Sequence, residues 1–443
     1  MRFSIVEYCG KRIADTPLSR LNNNQLERTI KSANELINST LGWRVENEAI
    51  VISNGIIKAS GIAGIIHLSC GDDLEIIPRH LTHNWQETLF FLAIISRYGG
   101  ALLNGYIAGD GGEDRSLFDL CGMVLINEFI SLQRQFVRTY HHHKFRDFAI
   151  EGDLVFESLF DNSTGFLQEI VLFDKSNQIN ATIQEAMRIV LPYVSIPSVR
   201  NQLEVAISKI GKQPSVLGKR KEKVPSRNKE WEMLYSLSFD IVSGKTISLT
   251  DGEINAIGFV VDTWRIWEWL LSYGLRIGLS PAQYLVEWQD KSEWGIRSDG
   301  RDTEPVYVVP DIVVYERAGS TPVLLVDAKC KSLAAPNSKG GVSQADLYEA
   351  FAFCNAKGLN SIILVYPTEG EGLPSGQIIQ QYSYSVSNKE IYAIKVAVGR
   401  IHSNLKLSEF ARTFANQLIP FIQTPVGNTH PAHTSSVNAA AVQ

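Results

Sequence analysis

Hydrophobic positions are densest between residues 312 and 367. Residues 323–326 form an unbroken apolar run of β-favouring type, which predicts a strand buried on both faces. Residues 312–315 predict a neighbouring strand, and the polar stretch 316–322 supplies a hairpin turn between them. Residues 344–353 read as an amphipathic helix. Ser343 is its N-cap and Asp346 stands at the third helical position. Residues 361–367 predict another buried strand, and 262–271 carry aromatic residues at helical spacing. The order helix, strand, strand, helix, strand predicts a small α/β domain with a mixed central sheet.

The rest of the chain is patterned differently. Residues 1 to about 90 alternate strands and turns around one helix at 21–36. Helices are predicted at 84–98 and 117–140, and again over 179–210 with breaks near Pro192 and Pro197. His141, His142 and His143 then form a solvated helix end, because three consecutive residues cannot face one metal from a helix. The organisation expected is α+β and multidomain: a strand-rich region at 1–95, a helical region at 96–210, a basic linker at 211–230, the α/β domain at 231–424 and a disordered tail at 425–443.

Composition narrows the class. A chain of 443 residues that is 44% hydrophobic can build sizeable cores in roughly two or three domains. No apolar run approaches the roughly twenty residues of a membrane span, and the N-terminus lacks the apolar core of a signal peptide. The five cysteines have no C-x-x-C spacing, which fits a reduced cytoplasm and argues against structural zinc. A net charge of −5 argues against a stand-alone DNA binder. A local basic cluster (Lys209, Lys212, Lys219, Arg220, Lys221, Lys223, Arg227, Lys229) is either a solvated linker or a loop facing DNA or a partner.

Candidate chemistry gathers at the end of the buried strand. Asp327 and Lys329 project to one face, and the hairpin brings Asp311 towards Asp327. Opposite charges at the end of a buried strand are costly unless paired or metal-bound. Two carboxylates and an ammonium are the parts needed to hold Mg²⁺ on a phosphodiester and to aim a water at it. Asp311, Asp327 and the Ala328 carbonyl are the expected metal ligands, with Mn²⁺ as a substitute, and Lys329 positions the water or offsets charge. Glu268, inside the apolar helix, either pairs with Arg265 three residues away or reaches this edge of the sheet.

These residues carry a resemblance. The segment is similar to the PD-(D/E)xK nuclease core of the McrC family, the nuclease subunit of McrBC-type modification-dependent restriction systems. The matching motifs are Trp267-Glu268-Trp269-Leu270, Pro310-Asp311, Asp327-Ala328-Lys329-Cys330-Lys331 and Asp346-Leu347-Tyr348-Glu349, with Glu349 where the family has Gln. Residues 61–68 and 74–79 resemble the family's N-terminal hairpin, with Arg79 in place of the usual Lys. The resemblance implies catalytic roles for Asp311, Asp327, Lys329 and Glu268, and support from Asp346, Tyr348 and Glu349. Lys331 and Lys339 are candidate contacts to double-stranded DNA. It also implies a partner, an McrB-like AAA+ GTPase ring docked by the N-terminal region and stimulated by this subunit. The chain has no phosphate loop of its own: Phe239 stands where the glycine preceding Gly244-Lys245-Thr246 would be needed. Two other readings share these features, a stand-alone nuclease for repair or phage defence and a non-catalytic adaptor of a motor.

Overall fold

The computed structural model describes residues 1–44, 46–81, 85–98, 117–156, 163–216, 221–243, 259–298, 303–333, 341–370 and 372–422. Lys219, Arg220, Lys339 and the tail at 425–443 lie outside them.

The N-terminal part contains β1 (Arg2–Val6), β2 (Lys11–Arg12), α1 (Asn23–Leu41), β3 (Ile50–Ser53), β4 (Ile56–Ala59), β5 (Ile62–His67) and β6 (Asp73–Ile77). Helix α1 starts in a capping box between Asn22 and Gln25 and stops at Gly42, whose φ of 68° suits a residue without Cβ. Strands β5 and β6 form the expected hairpin, and β1 adds in parallel to β6. Their inner faces, α1 and β4 bury Phe3, Ile5, Ile37, Ile57, Ile66 and Leu74.

The middle part holds α2 (Trp85–Tyr98), α3 (Leu117–Leu132), β7 (Thr139–Asp147), β8 (Asp153–Leu154), β9 (Phe166–Asp174), α4 (Gln178–Val190), α5 (Pro197–Ile210) and α6 (Glu232–Val242). The histidine run is not a helix end. Helix α3 stops at Leu132, and His141, His142 and His143 lie within β7, paired antiparallel with β9. Strand β7 is largely solvated on both faces, so it lacks the apolar alternation that reveals a half-buried strand. His142 instead meets Glu169 across the ladder at 2.6 Å.

The C-terminal part holds β10 (Phe259–Asp262), α7 (Thr263–Gly278), β11 (Tyr284–Trp288), β12 (Ser292–Ser298), β13 (Thr303–Val308), β14 (Ile312–Glu316), β15 (Thr321–Ala328), α8 (Gln344–Lys357), β16 (Ser361–Glu369), β17 (Ile378–Val386), β18 (Lys389–Val398) and α9 (Asn404–Leu418). The main sheet has the order β11-β14-β15-β16-β18-β17. It is mixed: β15, β16 and β18 run parallel, and the outer pairings are antiparallel. The period of two sorts its central residues. Val313, Leu325, Ile362 and Leu364 pack beneath α8 with Phe353 and Cys354. Ile312, Val314, Leu324, Val326, Ile363 and Val365 pack on the other face with α7 and α9. A continuous apolar run is what a sheet covered on both sides requires.

The chain does not divide cleanly at 211–230. Helix α6 packs on α4, and β10 completes the N-terminal sheet as the antiparallel neighbour of β5. One hydrophobic cluster joins Ile65, Phe90, Leu125, Ile183, Trp267 and Val326 across all three parts. No helix among the described residues is long and apolar enough to cross a membrane.

Candidate active site

Strands β14 and β15 deliver the acids. Ile312 pairs with Val326, so Asp311 enters β14 opposite the point where Asp327 leaves β15. The Ala328 N–H donates to Asp311 Oδ2 at 2.7 Å. Asp327 shares the parity of Leu325, so it and Lys329 face α8. The Lys329 N–H donates to the Val365 carbonyl at 2.9 Å, which carries the parallel pairing with β16 past the end of β15.

Lys329 sits between carboxylates. Its Nζ is 2.6 Å from Asp327 Oδ2 and 2.7 Å from Glu349 Oε2. Lys331 pairs with Asp346, donating to Oδ1 at 2.7 Å. Asp346 is held in turn by the cap it shares with Ser343, whose Oγ accepts from the Asp346 N–H at 3.2 Å. Tyr348 does not join this group. Its side chain is 67% exposed, because it stands two residues, about 200°, around α8 from Asp346.

Glu268 reaches the site and does not pair with Arg265. The Trp267 indole donates to the Val365 carbonyl at 3.1 Å, which seats α7 over the middle of β16. Glu268, 6% exposed, then receives Gln289 Nε2 at 3.2 Å. Arg265 is drawn instead to Asp262, one helical turn back, at 3.8 Å. Gln289 has no sequence signal. Its φ of 53° places the backbone N–H 2.7 Å from the Asp311 carbonyl while the side chain meets Glu268. The adjoining Asp290 is clamped by Lys357 Nζ at 2.6 Å and by the Tyr315 hydroxyl.

The electrostatics follow from burial. Asp327 is 2% exposed, and burial holds its carboxyl well above the usual range, with Lys329 opposing and Asp311 adding to the shift. Burial also raises Asp311, against its hydrogen bond with Asp327 and with Glu268 adding to the shift. Burial raises Glu268 to about 7, against the Gln289 hydrogen bond and with Asp262 and Asp327 adding. Burial disfavours charge on Lys329, but Asp327 and Glu349 outweigh it and hold the ammonium charged. Burial raises Asp346, yet the Lys331 and Ser343 hydrogen bonds prevail and lower it. Burial pushes the Cys330 thiol up to about 12, so it is no nucleophile at neutral pH.

A hard cation fits this donor set. Asp327 Oδ2 is buried and makes no aligned hydrogen bond, although the Lys329 ammonium is close. Two adjacent buried carboxyls, both raised by burial, are relieved by a bound cation. Among the described residues no three His, Cys, Asp or Glu side chains form a cage by themselves. Mg²⁺ is usually held by one or two carboxylates with waters and phosphate.

The family model described as the McrBC 5-methylcytosine restriction system component matches residues 57–367. No curated protein sequence matches the chain. Among solved structures, a refined half-complex from a tetradecameric assembly of Thermococcus gammatolerans McrB AAA+ hexamers with bound McrC is similar in fold, with TM-score 0.63 and 15% identity over 94% of this chain and 100% of the other. A cryo-EM structure of the Thermococcus gammatolerans McrBC complex has TM-score 0.44 and 15% identity over 61% and 85%. The span matched by the family model runs from β4 to β16 and takes in every residue of the acid cluster. It is well over half of the sequence, and the chain belongs to the McrBC family of 5-methylcytosine restriction system components.

Proposed function

We propose that the chain is the McrC-type nuclease subunit of its system, a Mg²⁺-dependent endonuclease of PD-(D/E)xK type cutting double-stranded DNA beside an AAA+ partner. The observation that carries the reading is the buried Asp311–Asp327 pair with Lys329 against it at the end of β15. A structural ion pair needs one carboxylate for one ammonium. Here Lys329 stands against Asp327 while a second buried carboxyl, Asp311, lies beside that pair, a costly arrangement without a cation.

Asp311 and Asp327 are the ligands that would hold the metal, with the Ala328 carbonyl as the third protein oxygen. When bound, Mg²⁺ or Mn²⁺ supplies positive charge on the scissile phosphate and a water of lowered pKa. Lys329, kept charged by its two carboxylates, opposes the charge that develops on the phosphate and is not a proton acceptor. Glu268, raised to about 7, titrates near neutral pH and takes the proton of the attacking water at its carboxylate. Gln289 fixes Glu268 against Asp311. Glu349 serves as a counter-ion to Lys329, which accounts for an acid where the resemblance leads one to expect Gln. Lys331 is already neutralised by Asp346, so its contribution to DNA binding is small.

The partner reading rests on two features. The similar solved structure holds McrC bound to McrB AAA+ hexamers. In this chain Tyr140 of β7 and Phe148, Ile150 and Phe156 in the segments flanking β8 are exposed to solvent, and exposed apolar groups of this kind mark docking surfaces. We assign that sheet, with the N-terminal region, to a McrB-like GTPase ring. Asp327→Ala is expected to abolish cleavage while still stimulating the partner's nucleotide hydrolysis. Cleavage by that variant at the wild-type rate with Mg²⁺ removes the site assignment.

A further inference from the structure

The N-terminal sheet touches the acid cluster from two sides. On one side β10, paired with β5, runs directly into α7, the helix that carries Glu268. Asp262 caps that helix and accepts the Trp43 indole N–H at 2.9 Å. On the other side Arg79, two residues past β6, donates from Nη2 to the Cys330 carbonyl at 3.0 Å. Cys330 lies between Lys329 and Lys331, where the chain has left β15. Its neighbours are held by a Lys329 N–H bond to Val365 and a tight Lys331 N–H bond to the Lys329 carbonyl at 2.8 Å.

Arg79 is itself immobilised. Its guanidinium lies 4.7 Å from the centre of the Tyr8 ring, and its Nε donates to His80 Nε2 at 3.2 Å. Its backbone N–H makes a long contact of 3.5 Å to Oε2 of Glu7. Glu7 is 1% exposed, and its Oε1 accepts the Thr263 hydroxyl at 2.6 Å. Thr263 is the first residue of α7, and its N–H donates to the Gly61 carbonyl at 3.2 Å. A buried carboxylate and a guanidinium directed at a backbone carbonyl are both costly unless fully partnered. Here they form a chain of contacts linking the two elements that carry Glu268 and Lys329.

We propose that Arg79 is a positioning residue for the cleavage site, fixing the segment that bears Lys329 and Lys331 through the Cys330 carbonyl. Through Glu7 and Thr263 the same bracket refers that segment to α7, so the N-terminal sheet sets the separation of Glu268 from Lys329. The inference deepens the nuclease reading and rests on it for its catalytic consequence. It concerns geometry about 1 Å in scale, which is enough to change a rate strongly without changing substrate binding.

The test compares full-length wild type, Arg79→Ala and Arg79→Lys by amide hydrogen exchange and by DNA cleavage with the partner motor. In Arg79→Ala, exchange over residues 327–333 is expected to rise about tenfold while residues 361–369 stay at the wild-type rate. The kcat for cleavage is expected to fall about 10- to 100-fold with KM for DNA unchanged. Arg79→Lys can still donate once to the Cys330 carbonyl and is expected to recover most of both losses. If Arg79→Ala does not fold, Thr263→Val, which unties Glu7 from α7, is expected to lower kcat in the same way. Wild-type exchange at 327–333 together with wild-type kcat overturns the proposal. So does a loss spread over every strand that Lys fails to rescue. Should the wild type cut no DNA at all, the nuclease reading falls, and the exchange data alone decide whether Arg79 holds this segment.

Discussion

Lys329 and Glu268 stand by the same acid pair and differ in their electrostatics. Lys329, between Asp327 and Glu349, stays charged. Its truncation to Ala is expected to lower cleavage about 10²- to 10³-fold, the usual cost of one lost transition-state donor. Glu349→Gln leaves an acceptor in place and is expected to cost less than about tenfold, as single-turnover rates would show. Glu268 titrates in the metal-free protein at about 7, against an ordinary value of 4.5. The native state therefore holds this proton more tightly than the unfolded chain does. Stability is expected to fall as pH rises from about 4.5 to about 7, by at most about 3 kcal/mol, and Glu268→Gln should flatten that slope. Urea midpoints across this window, with chelator present, check it, and an unchanged slope in the variant contradicts the assignment. The sequence left Glu268 between two partners because either residue three positions away or a distant one would satisfy a buried carboxylate. Gln289 decides it, through a positive φ and a contact 21 residues away that no local pattern encodes.

At the scale of elements, the site depends on how α7 and α8 are fastened. Gly278 ends α7 where a Cβ would lie 2.4 Å from both the Ala411 carbonyl oxygen and the Ala415 Cβ of α9. Gly278→Ala is expected to destabilise the protein by about 1–3 kcal/mol through overpacking, measurable by chemical denaturation. Ser343→Ala removes the cap of α8 and is expected to cost about 1 kcal/mol. It should also loosen Asp346 from Lys331. These elements were legible: a cap, an apolar run and a polar turn are local signals, and β14, β15, α8 and β16 lie close to where they point. Strand β7 was not, because its side chains are solvated on both faces and only pairing with β9 holds it extended. Tyr348 was grouped with Asp346 by motif position, and helical geometry places it on the other side of α8.

The whole molecule is more continuous than its charge pattern suggests. The basic stretch marks a change of composition, yet β10 belongs to the N-terminal sheet and α6 to the helical layer. A chain beginning at residue 231 would expose the apolar face of α7, including Ile266 and Leu270, and is expected to aggregate instead of folding alone. Size-exclusion chromatography decides this, and a monodisperse, folded fragment contradicts it. A contact such as Arg79 with Cys330 spans 251 residues and follows from no sequence period.

The measurement that bears most directly on the account is cleavage of methylated and unmethylated plasmid DNA with Mg²⁺. It is run with and without an McrB-like AAA+ partner and GTP or ATP, with Lys329→Ala as control. The expected result is cutting of methylated DNA that requires partner and nucleotide and disappears in Lys329→Ala. Equal cutting by Lys329→Ala, or no cutting by the wild type in any combination, would contradict it.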